Sequence, residues 1–177
     1  MTLSHVTLST LAAMPDRLEA AFLLVPAPLR GWRPASWEGI PGERFSPLGQ
    51  ICHLRDIESE GYQIRIARML SEQNPALADL DSYALATSRQ YDSDAPYEVL
   101  SAFRAARSAT LKTLEGLTSS ELNRRGTFGE YGALTLRSLV HYLAKHDLQH
   151  LACLEWLLGQ LHAIEDAGPD PCAAEGG

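Results

Sequence analysis

The chain has 177 residues, 45% of them hydrophobic, and a formal net charge of −7. That length and composition suit one self-supporting globular domain and exclude a disordered chain. No stretch is basic enough to give the electrostatic footprint of a nucleic-acid binder, and three scattered cysteines (Cys52, Cys153 and Cys172) form no disulfide framework and fit a reducing cytoplasm.

The first helix is predicted from Leu8 to Val25, where Leu11, Leu18, Ala21, Phe22 and Val25 are spaced by three and four. Pro26 and Pro28 end it. Its apolar run AAFLLVPAP is too short to span a bilayer, and no positive charge precedes it as a leader peptide requires. We therefore expect a soluble cytoplasmic protein with no membrane partner. The next stretch, PAPLRGWRPASWEGIPGERF, is too rich in proline for a regular element. Trp32 and Trp37 read as anchors pinning it to the core, with the lining of a pocket as the alternative.

Ser46 is a suitable N-cap and Pro47 a suitable first residue for a second helix, which runs to about Ser71. The connector EQNPALADLDSYALATSRQYDSDAP is irregular, with room for a short turn of helix. A third helix starts near Asp94–Pro96 and runs to about Leu117, with Val99, Phe103, Ala106, Thr110, Leu114 and Leu117 at helical spacing. Thr118–Glu121 matches a capping box and predicts a short extra helix. RRGTFGEYGAL reads as a glycine-punctuated loop with a hairpin-like turn, and no segment reads as a firm strand. Thr135 then caps a fourth helix, which runs to about Leu161, with Gly159 marking a fraying end. The expected architecture is all-α: a four-helix bundle over residues 1–162, with long connections after the first and second helices. Residues 163–177 read as a mobile acidic tail.

The fourth helix carries HYLAKHDLQH, with three of the six histidines. At about 100° per residue, His150 lies about 40° from His146, close to Leu139, Leu143, Cys153 and Leu157. His141 falls about 140° away, on the opposite face. Two imidazoles on an apolar stripe must each satisfy two ring nitrogens. They are either hydrogen-bonded core residues or ligands of one cation, for which i, i+4 spacing is suited. His53 on the second helix also faces a core-directed side, beside Ile57, Glu60 and Ile64, and supplies a third ligand. His5 and His162 sit near chain or helix ends and read as surface residues.

Three neutral imidazoles leave a divalent ion its charge and at least one open position, the pattern of a reactive site. Zinc, nickel, iron and copper all suit such ligands. Glu60 is a candidate general base, with a surface ion pair as its competing role. Asp56 and Asp147 are candidates to orient the imidazoles by accepting ring N–H groups, against a role as solvated surface charges. Cys153 is either a fourth ligand or a small buried hydrophobe, and Cys52 reads as packing.

SPLGQICHLRDIESEGYQIRIARML and LTLRSLVHYLAKHDLQHLACLEWLL together resemble the DinB-like (YfiT/DinB) superfamily of metal-binding four-helix bundles. The family motif is one histidine early in the second helix and a His-x-x-x-His pair in the last, here His53, His146 and His150. The resemblance implies a divalent ion, often nickel or zinc, and frequently a homodimer. It also implies thiol chemistry, since characterised branches include transferases that join small thiols to electrophiles and a thiol-dependent maleylpyruvate isomerase. No further carboxy-terminal domain is visible here, which weakens the isomerase analogy. The leading expectation is a metal-dependent S-transferase acting on a low-molecular-weight thiol and an electrophile, the latter lodged near Trp32 and Trp37 or near Tyr131. The alternatives are a metal-dependent hydrolase and a non-catalytic metal-binding stress-response protein.

Overall fold

The computed structural model describes residues 2–167. Helix α1 (His5–Leu23) is capped by Ser4, whose side chain accepts from the Thr7 N–H. Helix α2 (Pro47–Asp56) begins at the expected cap, Ser46, which accepts from the Gly49 N–H at 3.0 Å. It passes without a break through a π-helical stretch, Ile57–Tyr62, into α3 (Gln63–Ser71). The connector holds α4 (Ser82–Ser88), and α5 (Pro96–Glu115) is the third long helix. The capping box at Thr118 and Glu121 forms with both of its hydrogen bonds and starts α6 (Ser119–Leu122). Helix α7 (Leu136–Ala167) is the last and longest among the described residues, and it continues past the expected end near Leu161. The tail from 168 onward, with Cys172, lies outside the described residues.

The four long helical stretches make the expected all-α bundle, but the absence of strands needs correction. Strand β2 (Arg125–Phe128) pairs antiparallel with β3 (Gly132–Thr135), and β1 (Ala76–Leu77) joins β2 in parallel. Gly132, at φ +69° and ψ −149°, takes a backbone conformation essentially reserved for glycine and lets the chain re-enter as β3. Inward-facing Phe128 and the turn residue Tyr131 stack at 5.3 Å, so the hairpin forms an aromatic cap beside α7.

The apolar core has two parts. One gathers Met14, Leu18, Phe22, Ile51, Phe103 and Leu154, and the other gathers Leu11, Met69, Leu114, Leu122, Leu139 and Leu143. Each such side chain, fully buried, contributes about 1.5–3 kcal/mol. Between them three of the four long helical stretches turn polar. Buried His53, Glu58, Arg107, Asp147 and His150 form a layer across the middle of the bundle.

Arg107, 1% exposed, organises the lower half of that layer. It makes bidentate pairs with Glu58 at 2.9–3.0 Å and with Asp147 at 2.6–3.0 Å. Its Nη1 also donates to the Leu11 carbonyl at 3.0 Å. That carbonyl lies four residues before Pro15, which has no N–H to offer it. The guanidinium therefore supplies the donor that proline removes from α1.

Candidate metal centre

His53 near the middle of α2, and His146 and His150 one turn apart on α7, point their Nε2 atoms at one spot. His146 Nε2 lies 3.2 Å from both His53 Nε2 and His150 Nε2. Glu43 stands beside the three rings, with Oε2 at 3.3 Å from His150 Nε2 and Oε1 at 3.9 Å from His53 Nε2. All four donor atoms lie within 4.8 Å of one another. A tetrahedral ion bonded at about 2.0–2.1 Å needs donors about 3.3 Å apart, which the separations of 3.2–3.3 Å match.

Electrostatics favours the same conclusion. Burial holds His53 down at about 4 and His146 at about 3, the latter helped by the nearby His53, Arg65 and Arg107 charges. Burial likewise keeps His150 well below the ordinary imidazole value. All three rings are therefore neutral at pH 7, with lone pairs available.

The tautomer of His150 is fixed by Gln50. The Gln50 Nε2 donates to the carbonyls of Glu43 and Phe45, at 3.0 and 3.3 Å, so its Oε1 must face the His150 Nδ1. His150 Nδ1 then carries the proton and Nε2 the lone pair. His146 Nε2, with one proton at most, cannot make good hydrogen bonds to both neighbours. A cation satisfies all three nitrogens together. The Nδ1 atoms of His53 and His146 are buried without a hydrogen-bond partner among the described residues.

The loop carrying Glu43 presses closely on α7. A Cβ at Gly42 would lie 2.8 Å from Gln149 Nε2 and 3.0 Å from Cys153 Sγ, so a side chain there would displace the end of Gln149. Gln149 donates to the Pro41 carbonyl at 3.1 Å, and Phe45 stacks on His53 at 5.2 Å. The Glu43 carboxyl, 27% exposed, is raised above its ordinary value mainly by burial.

The remaining candidates divide between the roles open to them. Glu60 stands outside the histidine cluster and pairs with Arg89 through both oxygens, at 2.7 and 2.9 Å. The π-helical stretch explains this, because one extra residue in a turn sets back everything after it by about 100°. Glu58 and Arg65 thereby turn inward, while Ile64, expected in the core, is 51% exposed. Asp56 receives Arg55 and the Tyr91 hydroxyl, and Asp147 receives Arg107, so neither accepts from an imidazole. Cys153 is buried but is not among the converging donors, and burial pushes its thiol up to about 12. Cys52 is packed in the core. Trp37 stacks with Trp156 at 6.3 Å and Trp32 packs on the core, so both act as loop anchors. His141, His5 and His162 are at the surface.

Glu43 and Gln50 were missed by the sequence reading. Glu43 lies in an irregular loop with no periodicity to place it, and a glutamine on a helix carries no motif. The spacing Gln50–His53 was the available signal, since i and i+3 share a helix face.

His53 and His146 line a cavity of about 130 Å³, together with Glu43, Tyr62, Arg65, Phe128, Tyr131 and Tyr142. The cluster can thus hold a divalent ion with one side open to a small ligand. Among the described residues, no helix is long and apolar enough to cross a membrane.

Comparison with known proteins places the fold. The structure of YfiT from Bacillus subtilis, described as a probable metal-dependent hydrolase with an unusual four-helix bundle topology, is similar with a TM-score of 0.78. The likeness covers 91% of each chain at 19% identity, which shows a shared fold. No match was found among curated proteins. The family model of the DinB superfamily matches residues 10–154, most of the chain. The chain belongs to the DinB superfamily.

Proposed function

We propose that this protein is a divalent-metal-dependent enzyme that activates a low-molecular-weight thiol for transfer to an electrophile. The observation that carries the reading is the meeting of three neutral Nε2 lone pairs, with Glu43 beside them, at the wall of a cavity. A divalent ion bound there would lower the pKa of a nucleophile and make it reactive near neutral pH. His53, His146 and His150 would hold the ion, and Gln50 keeps His150 in the metal-binding tautomer. Glu43 is placed to take the proton that the nucleophile releases. Phe128, Tyr131 and Tyr142 shield the cavity and give the electrophile an apolar surface. Imidazole ligands suit zinc, nickel and iron alike, and the family resemblance favours nickel or zinc.

Hydrolysis is the second reading. Glu43 favours it, because a carboxylate beside the ion can deprotonate water as readily as a thiol. The description of YfiT supports the same alternative. The proposal places the enzyme in a reducing cytoplasm, where thiols such as Cys52 and Cys153 stay free. It also includes a homodimer, for which exposed apolar side chains such as Leu24 offer surface.

The test is turnover by zinc- or nickel-loaded protein of a chromogenic electrophile and of an activated ester, each with and without cysteine, glutathione or coenzyme A. Electrophile loss that requires both metal and thiol supports S-transfer, and Glu43→Gln should slow it about 100-fold while the metal stays bound. Ester cleavage without thiol would replace transfer by hydrolysis. No turnover in any arm would leave a metal-binding protein without catalysis.

A further inference from the structure

Resting on the reading above, we propose that the cavity beside the histidines recognises a carboxylate of the substrate through Arg65 and Lys145. The π-helical stretch swings Arg65 into the cavity wall, where the residue is 4% exposed. Its guanidinium lies 4.2 Å from the Phe128 ring centre and 5.3 Å from that of Tyr62. Gly61 makes room for it, since a Cβ there would stand 3.1 Å from Arg65 Nη1. The Nε donates to the Ala78 carbonyl at 3.0 Å and Nη2 to Asp79 at 3.2 Å. Asp79 is 73% exposed and so a weak partner. Nη1 makes no hydrogen bond among the described residues. The Tyr62 ring lies 5.9 Å from that of His146, so the guanidinium sits about one aromatic ring from the metal ligands.

Lys145 precedes His146 on α7, lines the same cavity and forms no ion pair among the described residues. With a divalent ion bound, the wall carries the ion, two cationic side chains and the carboxylates of Glu43 and Asp79. The balance is positive and attracts an anion. Glu43 and Asp79 would oppose a dianion, so a monoanionic carboxylate fits better than a phosphate. The planar guanidinium matches a carboxylate in shape. The site takes the acidic arm of a small substrate.

The test compares two thiols of similar length, 3-mercaptopropionate and the neutral 3-mercapto-1-propanol, by calorimetric titration into zinc-loaded protein. Metal content is measured on the same samples. The wild type should bind the carboxylate form about tenfold more tightly. Lys145→Met, at an exposed position, should remove most of that preference, and Lys145→Arg should restore it. Arg65→Gln should remove it too, with circular dichroism checking the fold. Equal binding of the two thiols by zinc-loaded wild type would overturn the inference and leave the metal reading standing. A preference that survives in both Lys145→Met and Arg65→Gln would trace to chelation by zinc and would also overturn it. Failure to bind zinc at all would defeat the metal reading, and this inference with it.

Discussion

Replacing Gln50 with leucine tests how far one buried amide controls the metal centre. Gln50 is fully buried, accepts from His150 Nδ1 and donates to the carbonyls of Glu43 and Phe45. Gln50→Leu keeps the volume but removes three hydrogen bonds. At about 1 kcal/mol each, folding stability should fall by about 2–3 kcal/mol. In a chain of this size that lowers Tm by roughly 5–10 °C, so the protein still folds at room temperature. The effect on metal should be larger. His150 loses the partner that keeps its proton on Nδ1, and the loop carrying Glu43 loses its tether to α2. Loss of such a supporting hydrogen bond typically weakens metal affinity by about 10–100-fold. Competition with a chromogenic zinc chelator measures this directly, with circular dichroism as the check on folding. A folded variant that binds zinc within twofold of wild type would refute the argument that Gln50 sets the tautomer.

Arg107→Met should strand Glu58 and Asp147 as buried carboxylates, costing about 3–5 kcal/mol in urea unfolding. Adding Glu58→Gln and Asp147→Asn should recover most of that loss, and no recovery would mean that Arg107 acts by packing alone. Metal-free protein should lose stability on acidification. His53 and His146 stay neutral down to about 4 and 3 in the fold, and His150 is likewise lowered. Unfolded histidines take up protons near 6.5, so between about pH 6.5 and 4 each favours unfolding by up to about 1.4 kcal/mol per pH unit. Asp147, raised to about 6 mainly by burial, takes up its proton in the fold first and opposes one of the three. Urea titrations at pH 7, 6 and 5 should still show falling stability, and His146→Ala/His150→Ala should flatten the trend. An equally steep trend in that variant would contradict the assignment of neutral buried imidazoles. Glu60→Gln, at the outer pair with Arg89, should leave zinc affinity unchanged in the chelator assay, and a tenfold loss would return Glu60 to the site.

Much of the bundle was legible because its signals are local. The Ser46–Pro47 start, the capping box at Thr118 and the apolar stripe of the last helix depend on neighbours in sequence and all appear in the structure. The convergence of His53, His146 and His150 followed from helical phase alone, as His53 lies before the π-helical stretch. Past that stretch the same wheel failed. A one-residue insertion into a turn leaves no mark in composition, so Glu60 and Ile64 were turned inward on paper while Glu58 and Arg65 took those places. Arg107 was hidden for another reason. Its place on the stripe, four residues after Phe103, has a charge that only two partners from distant helices make tolerable. Glu43 depends on loop tethers and on the close approach at Gly42, which no periodicity reports. The hairpin rests on Gly132 and on pairing across a short turn, too brief for alternation to stand out.

The most direct measurement is metal analysis of untagged zinc-loaded protein together with zinc-edge X-ray absorption, beside the His146→Ala/His150→Ala variant. The account predicts about one ion per wild-type chain, with imidazole nitrogens at about 2.0–2.1 Å, and loss of that ion from the variant. Equal metal content in the two proteins, or an ion whose absorption spectrum shows no imidazole ligands, would contradict it.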